Sequence, residues 1–169
     1  IVYDIPVRTG RKIATATIVK LARDVQNLVA LKDAAGNPAE TAVLLSQVPT
    51  NFELYSGDDS FTLPFMAIGG VGVIGVATHW SATDHQEMFA CWAKGDVVGA
   101  RTVNSRLLES FAFETGEDTP NPIPTKVMMN VLGLNVGEAR LPMGPPPAGL
   151  EARAKQVIEK LRLARNSQK

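Results

Sequence analysis

The sequence has little cysteine, no excess of charge of either sign and no long run of apolar residues. The single cysteine, Cys91, cannot form an intramolecular disulfide, which fits a reducing compartment such as the cytoplasm. Seventeen basic residues balance seventeen acidic residues, so no net field attracts nucleic acid or an anionic membrane surface. The longest apolar stretch, residues 67–78, is short and interrupted by glycines, which excludes a membrane span there. With 45% hydrophobic residues, the composition indicates a soluble globular protein.

Short apolar runs alternate with helical patterns over the first half of the chain. The runs are apolar on both faces and do not alternate with polar residues, which is typical of a parallel sheet covered by helices. Strand–helix repetition predicts an α/β fold, and the length of the repeat suits the β/α units of a barrel. The predicted strands are residues 1–5, 28–32, 52–55 and 73–78, and the predicted helices are residues 15–26, 38–48, 59–68 and 81–94.

The pattern changes after Gly95 to helices alone, at residues 96–114, 122–132 and 149–166. We therefore predict two regions, residues 1–95 with the strands and residues 96–169 with the C-terminal helices. Because a (β/α)8 barrel needs eight strands, the predicted strands form either a small open α/β sheet or the C-terminal half of a barrel. The sequence begins with Ile1-Val2-Tyr3, which reads as the end of a strand, so we expect the front half of such a barrel to be absent.

Polar residues stand at the carboxyl ends of the predicted strands, the edge that carries the active site in parallel α/β folds. Lys32 ends the apolar run Leu28-Val29-Ala30-Leu31. On this pattern alone, the commoner reading is a lysine that pairs with Asp33 or another carboxylate. The functional reading is that desolvation lowers the pKa of Lys32, because burial disfavours the ammonium form. A neutral amine can then attack a ketone and form an imine.

Five motifs, in order, resemble those of the dihydrodipicolinate synthase family within the class I (Schiff-base) aldolases. The resemblance covers nearly the whole chain and implies the second half of a (β/α)8 barrel, from the end of the fifth strand, followed by C-terminal helices. The motifs are Tyr3-Asp4-Ile5-Pro6-Val7-Arg8-Thr9-Gly10, Leu31-Lys32-Asp33-Ala34, Ser56-Gly57-Asp58-Asp59, Gly69-Gly70-Val71-Gly72-Val73-Ile74-Gly75-Val76 and Asn121-Pro122-Ile123-Pro124-Thr125-Lys126.

The resemblance implies a role for four residues of this sequence. Lys32 matches the lysine that condenses with pyruvate, and Tyr3 matches the tyrosine that relays protons. Arg8 matches the arginine that binds the carboxylate of the second substrate, L-aspartate 4-semialdehyde. Ile74 matches a residue whose main-chain carbonyl faces the bound pyruvate. The implied product is 4-hydroxy-tetrahydrodipicolinate, on the route to lysine and diaminopimelate. The imine itself withdraws electrons, so no metal or organic cofactor is implied, and the family's members are dimers or tetramers.

Several alternatives stay open. Sialic acid lyases and 2-keto-3-deoxy sugar acid aldolases of the same superfamily share the tyrosine and lysine, but they generally lack an arginine at the position of Arg8. The chain could also be a non-catalytic half-barrel that pairs with a complementary N-terminal half. Residues 70–75 match the glycine pattern of dinucleotide-binding proteins, but they lead into a strand instead of opening a helix, which excludes that reading. We expect Asp58 and Asp59 to cap a helix. The family's paired threonines lie in the first half of the barrel, outside this sequence.

Overall fold

A computed structural model describes residues 1–116 and 119–166, which fall into two compact units. The first unit is Ile1–Gly75 and the second is Val76–Lys169. The predicted boundary after residue 95 was drawn where the strands end and only helices follow. The boundary between the two compact units instead lies between Gly75 and Val76, because it separates groups of residues that pack together. Helix α5 (Thr78–Ala93), which precedes residue 95, packs mainly on the next helix and so belongs to the second unit.

The first unit contains a parallel sheet of four strands in the order of the sequence. In its register Tyr3 lies opposite Lys32, Lys32 opposite Tyr55, and Tyr55 opposite Gly72. Laterally paired residues of a parallel sheet point to the same face, so these positions form one row. The strands are β1 (Val2–Asp4), β2 (Ala30–Asp33), β3 (Glu53–Ser56) and β4 (Gly72–Val73).

One face of the sheet packs against helices, because alternate strand residues are apolar there. Leu31 and Leu54 are each 1% exposed and pack with Ile18 and Leu44 from the covering helices. The other face carries Tyr3 and the exposed Glu53. The helices of this unit are α1 (Pro6–Thr9), α2 (Thr15–Asp24), α3 (Pro38–Leu45) and α4 (Thr62–Ala67), with a 3-10 turn at Asp59–Phe61 before α4.

The second unit consists of four helices in its described part. Leu107 and Met128 are fully buried in its core, together with Ala154. Lys126, the last residue of the predicted Asn-Pro motif, donates hydrogen bonds of 2.9 Å to the main-chain carbonyls of Val136 and Glu138. That motif therefore closes a loop. The helices are α5 (Thr78–Ala93), α6 (Val97–Glu114), α7 (Ile123–Val131) and α8 (Leu150–Asn166).

The predicted fold class is confirmed, since four parallel strands with helices are followed by helices alone. The fourth strand was predicted at residues 73–78 and is wrong beyond Val73. The amide of His79 donates to the carbonyl of Val76 at 3.1 Å, and that of Trp80 donates to Ala77 at 3.0 Å, so the chain turns into α5 there. Across the described residues, every helix is too short or too polar to cross a lipid bilayer.

Candidate active site

Two of the predicted site residues meet at the carboxyl edge of the sheet. Tyr3 on β1 and Lys32 on β2 are direct neighbours in the register. The amine Nζ of Lys32 lies 3.9 Å from the centroid of the Tyr3 ring. This distance permits a cation–π interaction when the amine is protonated. The structure therefore places a lysine amine and a phenol side by side at the edge where parallel α/β folds carry their chemistry.

Partial burial shifts the pKa of both groups away from the charged forms. Burial lowers the pKa of Lys32, and the negative charge of Asp59 opposes that shift. Burial also raises the pKa of Tyr3. The positive charge of Arg8 acts against this second shift, and Asp58 adds to it. Both directions favour the neutral species, an amine able to attack a carbonyl and a phenol able to donate a proton.

Arg8 and Ile74 lie on the same edge of the first unit. Arg8 belongs to α1, the short helix that leaves β1, and its side chain is exposed. Its charge acts on Tyr3, which ties it to the lysine–tyrosine pair. Ile74 directly follows β4, and its amide donates to the carbonyl of Ser56 at 2.9 Å. The four predicted residues thus come from the ends of β1, β2 and β4 and from the segment after β1.

The residues next to Tyr3 and Lys32 face the opposite side of the sheet and hold the strand ends in place. Asp4 and Asp33 are buried and opposite one another in the register. A carboxylate oxygen of Asp4 accepts from the amide of Ile13 at 3.1 Å. The two oxygens of Asp33 accept from the amide of Ala35 at 2.8 Å and from the hydroxyl of Thr41 at 2.6 Å. Buried carboxylates need such donors, so each aspartate fixes the loop that follows its strand.

A second layer of polar contacts surrounds Asp4. Lys12 lies 3.9 Å from a carboxylate oxygen of Asp4 and donates to Glu40 at 2.9 Å. Glu40 also accepts from the hydroxyl of Thr15 at 2.8 Å. These donors lower the pKa of the Glu40 carboxyl, Lys12 more than Thr15. The network joins α3 to the segment between β1 and α2. No periodic pattern in the sequence indicates this network, because its members are far apart in the chain.

The adjacent residues Asp58 and Asp59 have different environments. Asp58 accepts from the amide of Ser60 at 2.9 Å and caps the 3-10 turn, as predicted. Asp59 is 0% exposed, and its charge acts on Lys32. Sequence reasoning assigned both residues to a cap and missed the second environment. Nothing in a pair of consecutive aspartates indicates which one turns inward.

Charge is also concentrated in the second unit, in a groove of about 600 Å³. There the buried Asp84 pairs with the guanidinium of Arg106 at 3.0 Å and accepts from Arg165 at 3.0 and 3.1 Å. Two arginines on one buried carboxylate form an ion-pair cluster, which suits a structural role in joining α5, α6 and α8. Within residues 1–116 and 119–166, no group of three or more His, Cys, Asp or Glu side chains is arranged to hold a metal ion.

Comparison with protein families matches residues 1–161 to the dihydrodipicolinate synthetase family. The 4-hydroxy-tetrahydrodipicolinate synthase of Cyanothece sp. is 38% identical over 161 residues, which cover 95% of this chain and 54% of that protein. The enzyme of the same name from Moorella thermoacetica is 41% identical over 143 residues, covering 85% of this chain and 48% of that protein. The chain thus spans about half the length of the curated relatives it matches.

Solved structures of similar fold also match nearly the whole of this chain and about half of their own length. The 4-hydroxy-tetrahydrodipicolinate synthase of Methylacidiphilum fumariolicum SolV matches with a TM-score of 0.90 at 29% identity, covering 98% of this chain and 54% of that one. The dihydrodipicolinate synthase of Aquifex aeolicus matches with a TM-score of 0.88 at 34% identity, covering 96% of this chain and 55% of that one. The part of each structure that corresponds to this chain is again about one half.

Proposed function

The chain belongs to the dihydrodipicolinate synthetase family, and from that premise we propose that it carries the imine-forming half of a 4-hydroxy-tetrahydrodipicolinate synthase. The observation that supports this most directly is the Lys32 amine beside the Tyr3 ring at the carboxyl edge of the sheet. The proposed substrates are pyruvate and L-aspartate 4-semialdehyde, and the proposed setting is a cytoplasmic homo-oligomer. The remaining strands of the barrel would come from sequence that corresponds to the other half of the relatives.

In the proposed reaction, the neutral amine of Lys32 attacks the keto carbon of pyruvate and water leaves, giving an iminium. Loss of a proton from the methyl carbon gives an enamine, and that carbon then attacks the aldehyde of the semialdehyde. Tyr3 fits the role of proton relay, because a phenol donates and accepts through one oxygen. Ile74 would offer its main-chain carbonyl to pyruvate. The electron-withdrawing iminium makes a metal or organic cofactor unnecessary.

Arg8 would bind the carboxylate of the semialdehyde, since a guanidinium presents two parallel donors to a carboxylate. This residue distinguishes the proposal from a sugar-acid aldolase of the same superfamily. The exposed position of Arg8 on α1, beside the Tyr3 end of the sheet, suits a residue at the mouth of a site. The chain could instead be a non-catalytic half-barrel. Two experiments distinguish the synthase, the sugar-acid aldolase and the non-catalytic half-barrel.

The first experiment traps the imine. The chain is co-expressed with the complementary half of the Cyanothece relative, incubated with pyruvate and treated with borohydride. We expect one reduced pyruvyl group on Lys32 by peptide mapping, and none in the Lys32→Arg variant, whose guanidinium is not a nucleophile at neutral pH. An adduct on Lys12, Lys20 or Lys126, or no adduct in a folded complex, would contradict the proposal.

The second experiment tests Arg8. Removal of a charge-assisted contact of this kind costs about 1.5–3 kcal/mol, or roughly 10- to 150-fold in kcat/KM for condensation. We expect that loss in Arg8→Ala, with pyruvate trapping on Lys32 retained. Arg11→Ala, in a neighbouring exposed arginine, is the matched control and should keep the parent kcat/KM. A complex that cleaves N-acetylneuraminate and ignores the semialdehyde would identify a sugar-acid aldolase instead.

A further inference from the structure

The groove of the second unit, about 600 Å³ in volume, is formed by residues of α5, α6 and α8. The proposed function uses none of these residues. Sites for small molecules commonly have volumes of about 300–1,000 Å³, so the groove is large enough for a small ligand. Every residue that lines it is polar or charged, which suits a charged ligand better than an apolar one.

Buried ion pairs line the inner side of the groove. Asp84 on α5 is 1% exposed, and the side chain of Arg106 on α6 is 3% exposed, and the two form an ion pair at 3.0 Å. Arg165 on α8 donates to both carboxylate oxygens of Asp84, at 3.0 and 3.1 Å. Arg106 also forms an ion pair with Glu87, the other acidic residue of the groove. Both carboxylates are therefore already matched by arginines.

Arg162 on α8 is the third arginine of the groove. It is exposed, and in the part of the chain that the structure describes it makes no hydrogen bond or ion pair, whereas its neighbours Lys160 and Arg165 are both in ion pairs. Arg162, Arg165 and Asn166 share one face of α8, because residues three and four apart are neighbours on a helix. Three arginines against two carboxylates leave the groove with one net positive charge.

This distribution of charge indicates the kind of ligand. A cation would need free carboxylates, but Asp84 and Glu87 are paired, and among the described residues no three His, Cys, Asp or Glu side chains are grouped to hold a metal ion. A nucleic acid would need several free cations along a surface. Arg162 offers two parallel N–H donors, and the Thr83 hydroxyl and the Asn166 amide line the same groove. Phosphate and carboxylate groups accept from such a set of donors.

We propose that this groove binds a small oxyanion, a phosphate or carboxylate group, with Arg162 as the main donor and Thr83 and Asn166 as further donors. The ion pairs of Asp84 hold α5 and α8 together, so that donors from both helices reach one ligand. The bound anion balances the charge of Arg162. The proposal does not depend on the synthase reaction, because the groove belongs to the second unit and the four predicted site residues belong to the first.

The first measurement maps the site with phenylglyoxal, which modifies arginine side chains. Residues 1–169, in complex with the complementary half of the Cyanothece relative, are labelled in inorganic phosphate or in sodium chloride of equal ionic strength, and the rate at each arginine is read by peptide mapping. We expect phosphate to slow the modification of Arg162 severalfold. Arg153 is the matched reference, since it is exposed on the same helix and lies outside the groove. Its rate should be equal in the two salts.

The second measurement is the thermal unfolding midpoint of the same complex, because a ligand that binds the folded state raises it. At constant ionic strength, phosphate, malonate or both should raise the midpoint of the parent and of Arg153→Gln equally. A response to one anion alone identifies the ligand class as phosphate or as carboxylate. Arg162→Gln should weaken the apparent affinity by roughly tenfold or more, since it removes the charged donor.

Two results would overturn the proposal. One is a general anion effect, in which Arg153 and Arg162 are protected equally or the midpoint rises as much in Arg162→Gln as in the parent. The other is the absence of both protection and a midpoint shift with either anion. Neither result bears on pyruvate trapping at Lys32, so failure of this site and failure of the proposed function are distinguishable.

Discussion

At the scale of single residues, the chemistry of the candidate site depends on whether the side chains of Tyr3 and Lys32 are neutral or charged. Both pKa shifts are caused first by burial, and each is opposed by one charged neighbour, Arg8 for the tyrosine and Asp59 for the lysine. The site therefore has two electrostatic controls on two adjacent groups. Because the Lys32 amine lies 3.9 Å from the centroid of the Tyr3 ring, the two titrations are coupled, and a change of either neighbour should be felt by both groups.

A titration of Tyr3 tests directly whether the charge of Arg8 lowers the pKa of that tyrosine. The chain has two tyrosines, so the measurement is made in a Tyr55→Phe background by ultraviolet absorbance of the tyrosinate. Arg8 lowers the pKa of Tyr3 against the larger effect of burial. We therefore expect Arg8→Ala to raise the pKa of Tyr3 further, so that tyrosinate appears at higher pH. Arg11→Ala should not move it, and a shift to lower pH in Arg8→Ala would contradict the assigned interaction.

Part of this site could be predicted from residue types in sequence. Lys32 ends an apolar run, and Tyr3 and Arg8 fall in a motif of fixed spacing, so all three were expected at one edge. The burial of Asp59 could not be predicted, because its carboxylate packs against Gly75, a residue close to it only in the folded chain. Local sequence specifies which groups stand at a strand end, and tertiary packing decides which of them loses contact with water.

At the scale of elements, the sequence predicts the bounds of the helices more closely than the bounds of the strands. Helix α3 begins at Pro38, with the Asn37 side chain accepting from the amide of Glu40 at 3.2 Å, and both features are readable as start signals. Helix α6 begins one residue after the predicted start and ends where predicted. The strand predicted through residue 78 failed because an apolar run does not distinguish a strand from the buried first turn of a helix.

The N-terminus of α6 provides a test at this scale. The Asp96 side chain accepts from the amide of Gly99 at 2.8 Å and satisfies one of the donors that a helix leaves unpaired. We expect Asp96→Ala to lower the free energy of unfolding by about 0.5–2 kcal/mol, measured by urea denaturation followed by circular dichroism. Asp96→Asn keeps an acceptor oxygen and should retain most of the stability. Equal losses in both variants would show that charge, not capping, is the main contribution.

At the scale of the whole molecule, the first unit has strands with free edges and an uncovered face. In the described residues β1 and β4 each pair with one neighbour, and unpaired backbone groups at a sheet edge favour association. The face that carries Lys32 includes Tyr3, which is 40% exposed. The relatives are about twice as long, so their remaining half would supply the strands and side chains for this face.

We accordingly expect residues 1–169, expressed alone, to form oligomers, to aggregate or to bind a complementary half, and to show little or no condensation activity. A wetter environment would leave Lys32 more fully protonated and less nucleophilic. Light scattering gives the size, and an assay for condensation gives the activity. Adding the complementary half of the Cyanothece relative should reduce the association and raise the activity. A monodisperse monomer with turnover like that of the relatives would contradict this expectation.

The alternation of side chains in β1 and β2 also bears on which insertions and deletions the chain can tolerate. Tyr3 and Lys32 face one side of the sheet, and the buried Asp4 and Asp33 face the other. Because neighbouring residues in a strand face opposite sides, losing one residue within β2 would exchange the two sets. An aspartate would replace the nucleophile, and a lysine would enter the layer beneath the helices. The buried aspartates and their hydrogen-bond donors therefore fix which residues of β1 and β2 face the helices. We expect insertions and deletions to be tolerated only in the loops between the strands.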